Sequence, residues 1–217
     1  MKATLTGKYE SIKNFPTASL TVDTKVGDVK LKASVPDFVV ADGRPSLSSL
    51  LSFALEKPGS FSIDYSHKND VKFQFMNSVK VLEKAVDLTY THARKENRTA
   101  VEGAVALDAS NKIAVSNVLG TEEWKVRYTY AHGALRRTVI EPCYDVKANA
   151  WDVAVTRKFE RGNAVKATFR TSSRSVDLEW TGDIPLNTTI KISGSINMAE
   201  KIAVPKLTAE TTWSYEI

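Results

Sequence analysis

Three histidines, one cysteine and an interspersed set of acids and bases carry most of the reactive chemistry in this chain, and their spacing decides what it can be. His67, His92 and His132 lie far apart, in or beside expected turns, and none forms the H-x-x-x-H pair that seats a metal. Cys143 has no second cysteine for a disulfide and cannot build a thiolate site alone, so we read it as a small packing residue. There is no G-x-x-x-x-G-K phosphate loop, no G-x-G-x-x-G fingerprint and no G-x-S-x-G nucleophile elbow. Asn97-Arg98-Thr99 and Asn187-Thr188-Thr189 match the glycosylation sequon by chance. We expect no enzyme, no cofactor and no metal, although carboxylates that converge only in the fold lie beyond a motif search.

What remains is a face of mixed charge. Lys30, Lys32, Lys72, Lys125, Arg127, Lys158, Lys166, Arg170 and Lys191 each occupy the polar parity of an alternating segment. Asp152 and Glu179 share that parity, as do Asp64, Asp87, Glu102, Asp177 and Glu210. The 30 basic and 25 acidic residues leave a net charge of +5. That mild excess fits anionic small molecules, a membrane surface or nucleic acid. The bases are spread singly, without the dense block of a nucleic-acid tail, so we expect no nucleic-acid partner. Such a face attracts phosphorylated or carboxylated metabolites without holding them tightly; its bland alternative is a solvated sheet surface.

The elements that must position these residues are strands. Val29-Lys30-Leu31-Lys32-Ala33-Ser34-Val35 alternates apolar and polar, as do Trp124 to Tyr130, Val165 to Arg170, Ile190 to Ile196 and Leu207 to Tyr215. Similar windows lie at 2–9, 18–24, 51–57, 61–66, 71–81, 86–92, 99–107, 112–118, 136–143, 151–159 and 176–180. Ser46 to Leu55 has the best helical period, but Leu51, Phe53 and Leu55 also alternate, and we read strand. Lys57-Pro58-Gly59-Ser60, Lys95 to Arg98, Asp108 to Asn111 and Arg161-Gly162-Asn163 read as tight turns. Pro36 to Ser46 and Thr181 to Thr188 read as longer connections. About sixteen windows, some expected to fuse, predict one antiparallel meander of 12–16 strands, with residues 1–217 forming a single domain. No apolar run approaches the ~20 residues of a membrane helix. Met1 to Gly7 alternates from the outset, so we expect no secretory leader, which favours an organelle outer membrane over a bacterial one.

Alternation does not say which face is inside. A soluble β-sandwich or small barrel that binds ligand or lipid buries the same apolar face that a membrane barrel shows to lipid. Side chains fill a barrel of about eight strands, whereas a much wider one keeps a lumen. An apolar lumen of that width can be neither packed nor cheaply wetted. We therefore expect an all-β transmembrane barrel, apolar face to lipid and polar face to lumen, with the eleven residues from Lys30 to Lys191 first named above lining the path. Trp124 and Trp151 open their strands, while Trp180, Trp213, Tyr9, Phe159 and Tyr215 fall near strand ends, as interfacial girdles require.

Whole segments then point to a family. Ala54-Leu55-Glu56-Lys57-Pro58-Gly59-Ser60-Phe61, Asp70 to Asn77, Leu88 to His92, Glu141 to Val146, Trp151 to Val155, Lys166 to Phe169 and Pro205 to Trp213 resemble the plant plastid outer envelope pore proteins of about 24 kDa. The resemblance runs from near residue 1 to the C-terminus and is patchier before residue 50. It implies a high-conductance, voltage-dependent solute channel in the plastid (chloroplast) outer membrane, needing no cleaved transit peptide. The implied cargo is triose phosphates, dicarboxylates, phosphate, ATP, sugars and amino acids, and the implied partners are membrane lipid and small solutes, charged and neutral. A slight cation preference is implied too, which sits awkwardly with a charge of +5. Homo-oligomerisation stays open, and no catalytic or ligand-site residue is carried over.

Overall fold

The computed structural model describes residues 1–12, 16–41, 44–45, 51–66, 70–199 and 205–216. Among them lie seventeen strands and no helix: β1 (Lys2–Glu10), β2 (Pro16–Val26), β3 (Val29–Ala41), β4 (Arg44–Pro45), β5 (Ser52–Lys57), β6 (Phe61–Ser66), β7 (Asp70–Val81), β8 (Lys84–Ala93), β9 (Arg98–Ala106), β10 (Asn111–Val118), β11 (Trp124–His132), β12 (Thr138–Asp145), β13 (Ala150–Lys158), β14 (Ala164–Arg170), β15 (Ser175–Ile184), β16 (Thr188–Asn197) and β17 (Lys206–Glu216). Each pairs antiparallel with its neighbours in sequence, except that β4 pairs only with the end of β3, which passes on to β5. The remaining sixteen close into a barrel, because β1 pairs with both β2 and β17. With an even strand number, both chain ends lie at the same rim.

Cross-strand partners share a face, so the register tests the alternation strand by strand. Leu5 faces Leu20 and Trp213, Leu55 faces Leu31 and Ile63, Phe75 faces Phe61 and Tyr90, and Val126 faces Val115 and Tyr144. The apolar parity thus forms one continuous outer belt. Leu20, Phe53, Phe75, Trp151, Leu178 and Ile192 on it are all exposed. Among the described residues no side chain is fully buried, and the only apolar ones below a tenth exposure are the small Ala104, Ala114 and Ala150. A water-soluble chain of this length buries a large apolar core; this one puts its large apolar side chains outside, where lipid must cover them. The soluble sandwich is overturned by this single closed sheet. A nine-residue strand such as β13 rises about 30 Å, and tilted it crosses the ~25 Å apolar band of a membrane barrel.

Each of the sixteen windows became its own strand, and none fused. The two long connections are corrected. β3 continues through Pro36 to Ala41, where its register with β2 shifts between Ala18 and Leu20. A bulge is where a sheet tolerates a proline, which has no N–H for the ladder. β15 likewise runs to Ile184, leaving only Pro185-Leu186-Asn187 as the turn. Gly182, in the segment read as a connection, lies inside β15, and a Cβ there would come within 2.6 Å of the Trp180 ring, so the position needs glycine. Trp180 is consequently mid-strand and not terminal. Trp124 and Trp151 do open their strands, and the Trp151 ring stacks obliquely on Tyr144 with centroids 4.9 Å apart. Ser52 onward is strand as expected, whereas Ser46 to Leu50 lies outside the described residues.

Two outcomes follow from the faces. Spin labels at 126 and 128 should be relaxed by lipid-soluble oxygen, and labels at 125 and 127 by a water-soluble paramagnet; the reverse would turn the barrel inside out. Val153→Arg, placed in the middle of β13 on the belt, should cost roughly 2–4 kcal/mol in denaturant unfolding from lipid, with Asp152→Asn near neutral.

Candidate functional site: the polar wall of the barrel

The register places all eleven predicted residues on the face opposite the apolar belt, and it adds what alternation could not supply, namely which charges are neighbours. Lys30 stands opposite Glu56, Lys32 opposite Asp23, Lys72 opposite Asp64 and Lys125 opposite Asp145. Lys166 stands opposite Glu179, Arg170 opposite Asp152 and Lys191 opposite Glu210. Seven of the nine predicted bases therefore have an acid directly across the ladder. Arg127 lies between Ala114 and Cys143, and Lys158 opposite Ala164.

Several juxtapositions are ion pairs. Lys125 Nζ is 3.1 Å from Asp145 Oδ2 and Lys191 Nζ is 2.9 Å from Glu179 Oε2, while Arg170 donates to Asp177. Lys8, which the sequence reading missed, is 2.6 Å from Glu10 and 3.7 Å from Glu210. Opposite charges facing each other across strands stabilise the sheet modestly, by about 0.2–1 kcal/mol each. Their larger consequence is electrostatic: each pair presents a short dipole to the lumen in place of a net charge.

A second sector of the wall is uncharged. Thr189, Thr212, Thr6 and Ser19 follow one another across the ladder, and beside them run Ser214, Thr4, Thr21, Ser34 and Ser52. The hydroxyls of Thr6 and Thr212 are 3.1 Å apart. Toward the rim bearing the chain ends, a cavity of about 1280 Å³ opens on the wall, its lining including Lys2, Asp23, Lys25, Lys30, Lys32, Glu56, Asp64 and Gln74. Lys25 escaped notice because alternation seemed to stop at residue 24; extending the parity of Asp23 by two residues would have found it.

At the opposite rim Glu123, in the turn between β10 and β11, ties three segments together. It accepts from Arg98 at 2.5 Å and from Lys147 at 2.9 Å, joining the start of β9 to the β12–β13 turn. The Lys147 hydrogen bond, followed by the charges of Lys147 and Arg98, holds the Glu123 carboxyl below its ordinary value of 4.5.

His92 lies within β8, not in a turn, bonded to the Thr99 hydroxyl at 2.9 Å on the belt side; His132 ends β11; His67 lies outside the described residues. Among the described residues no three of His, Cys, Asp and Glu gather into a metal site. Cys143, half-buried, faces Arg127 and Asp152.

A closed sheet of sixteen strands with an apolar exterior, a charged and hydroxylated interior and both ends at one rim is a membrane channel of the porin class. Solved porins share this architecture. A mutant of the Rhodopseudomonas blastica porin superposes with a TM-score of 0.58 at 7% identity, covering 99% of this chain and 98% of that one, and a second mutant gives 0.55. At that identity the likeness is one of fold. Residues 1–216 match the family model of Outer envelope pore protein 24, and the chain belongs to that family. It is 45% identical over 226 residues to the chloroplastic outer envelope pore protein 24 of Oryza sativa subsp. indica, covering all of both chains. It is 44% identical over 218 residues to the chloroplastic outer envelope pore protein 24B of Arabidopsis thaliana, covering 100% of this chain and 99% of that one. The chain is a pore protein of the plastid outer envelope.

The Glu123 tie should be pH-dependent. Its folded pKa is depressed, so its contribution is complete above 4.5 and is lost as pH falls through the lower folded value. The gap in thermal unfolding temperature between wild type and Glu123→Gln, small because the groups are solvent-exposed, should be present at neutral pH and close on acidification.

Proposed function

We propose that the barrel is a high-conductance, voltage-dependent and weakly selective pore, and not an enzyme, through which small metabolites diffuse across the plastid outer envelope. The proposed cargo is triose phosphates, dicarboxylates, phosphate, ATP, sugars and amino acids. The observation that carries weak selectivity is the pairing of charges across the ladder, with seven of nine bases opposite acids. A wall of such dipoles attracts ions of either sign briefly and rejects neither. Sixteen strands leave a water-filled channel in which fixed charges are screened over about 8–10 Å near physiological salt. Strict charge selection needs a narrower passage than that. The hydroxyl sector, which donates and accepts without net charge, suits sugars. Voltage dependence and the individual cargoes rest on the family resemblance. Lys30, Lys32, Lys72, Lys125, Arg127, Asp152, Lys158, Lys166, Arg170, Glu179 and Lys191 line the proposed path, lipid surrounds it, and no nucleic-acid partner enters the proposal.

Refolded chain in planar bilayers should give discrete current steps that persist in high salt. Selectivity should be weak and grow as salt is lowered. Lys125→Gln together with Arg127→Gln should move the reversal potential towards cations without abolishing conductance or sugar passage. Arg127→Gln alone should account for most of the shift, because Asp145 already cancels much of the Lys125 field. An unchanged reversal potential in a low-salt gradient would remove that face from the conducting path.

A further inference from the structure

We infer that Lys25 and Lys30, facing each other on the β2–β3 hairpin, form a binding site for phosphate-type polyanions at the mouth of the pore that bears both chain ends. The inference rests on the pore reading and names a residue pair that the alternation of charges elsewhere on the wall does not explain. Lys25 is opposite Lys30 across the ladder, a like-charge pairing that costs the sheet stability. No β1 residue stands beside Lys25 to relieve it, since β1 begins at Lys2, the partner of Asp23.

The acids nearby stand opposite other bases on the ladder. Asp23 lies opposite Lys2 and Lys32, and Glu216 opposite Lys2. Glu56 lies opposite Lys30, yet its carboxylate is 3.9 Å from the ammonium with both side chains about half exposed. Asp28 follows in the hairpin turn. Among the described residues Lys25 and Lys32 make no ion pair. Lys25 thus has no acid of its own and Lys30 shares Glu56 only loosely, which leaves excess positive charge at the edge of the 1280 Å³ cavity, where there is room for a small polyanion and its water.

Directly opposed side chains have Cβ atoms about 5 Å apart, so two flexible lysines there can converge on the oxygens of one tetrahedral group. Each ammonium brings three donors and no acceptor, a compact charge suited to phosphate oxygens. A bound anion with two or more charges turns the repulsion into attraction, which a single chloride does less well. The site stays open to water on one side, so it captures briefly and releases, as a conducting pathway requires.

The test titrates inorganic pyrophosphate against the single-channel KCl current of the full-length chain in planar bilayers at low salt. Wild type should show a reversible, concentration-dependent current block, stronger from one side of the membrane. Lys25→Gln with Lys30→Gln should raise the half-blocking concentration about tenfold or more. Lys80→Gln with Lys112→Gln, which removes the same charge from the polar parity at the same rim, should change it less than about twofold. Lys25→Glu should abolish the block while making the barrel more resistant to unfolding, because it replaces a repulsive pairing by an attractive one. Absence of block in wild type, block that survives both hairpin variants, or equal weakening by the control pair would each overturn the site. If wild type carried no KCl current at all, the pore reading itself would fail; current without block would remove only this inference.

Discussion

In hydrocarbon no water is available to satisfy an exposed peptide N–H or C=O, and an unpaired group there costs several kcal/mol. Every other property of this barrel depends on that constraint. A sheet meets it only by closing, and the closing seam is the nine-residue ladder between β1 and β17, from Lys2 opposite Glu216 to Glu10 opposite Thr208. Those two strands are the most distant in the chain, so the seam carries the largest loop-closure cost of any pairing in the sheet. Its side chains fit that burden: Leu5 stands opposite Trp213, the Trp213 ring lies 3.6 Å from where a Gly7 Cβ would stand, and Thr6 meets Thr212 on the inner face.

Closure also fixes the fate of the two faces. Once the sheet is a tube of sixteen strands, its interior is too wide for side chains to fill, so it must be wet and its exterior must be dry. The near-absence of buried side chains among the described residues, unthinkable in a soluble domain of this length, follows directly. What would be a hydrophobic core elsewhere has become the belt that lipid covers. Glycine is used where the belt is crowded by rings, at Gly182 beneath Trp180 and Gly7 beside Trp213, and not merely at turns.

A wet interior lined by charge would be a costly place for bases alone. The ladder sets acids opposite them, and the resulting dipoles keep the wall polar while limiting its net field. This reconciles a chain charge of +5 with the weak discrimination we propose, because the excess does not sit as a continuous positive ring. In the proposed pore, bases without an acid across the ladder, such as Arg127 and Lys25, are the positions where the wall can still prefer an ion.

The strand windows, their number near sixteen and the residues on each face were all legible in the sequence, because a period of two is a local property that survives without knowledge of partners. The same locality explains the failures. Pro36 and Gly182 lie in segments that read as connections in isolation, and only the β2–β3 bulge and the Trp180 ring show why the strands hold those residues. The family likeness was visible in segments such as Glu141 to Val146, but these carry no role for single residues. Which lysine faces which acid depends on register, and register is set by contacts between strands that sequence distance does not reveal. Lys25 and Lys30 meet because the two-residue turn Gly27-Asp28 sets Val26 opposite Val29, a register that follows once that turn is recognised, whereas pairings between distant strands carry no such local signal. Alternation determined that charges would share a wall; hydrogen bonding between strands decided which of them cancel, because the energy that aligns two strands belongs to the pair and to neither segment alone.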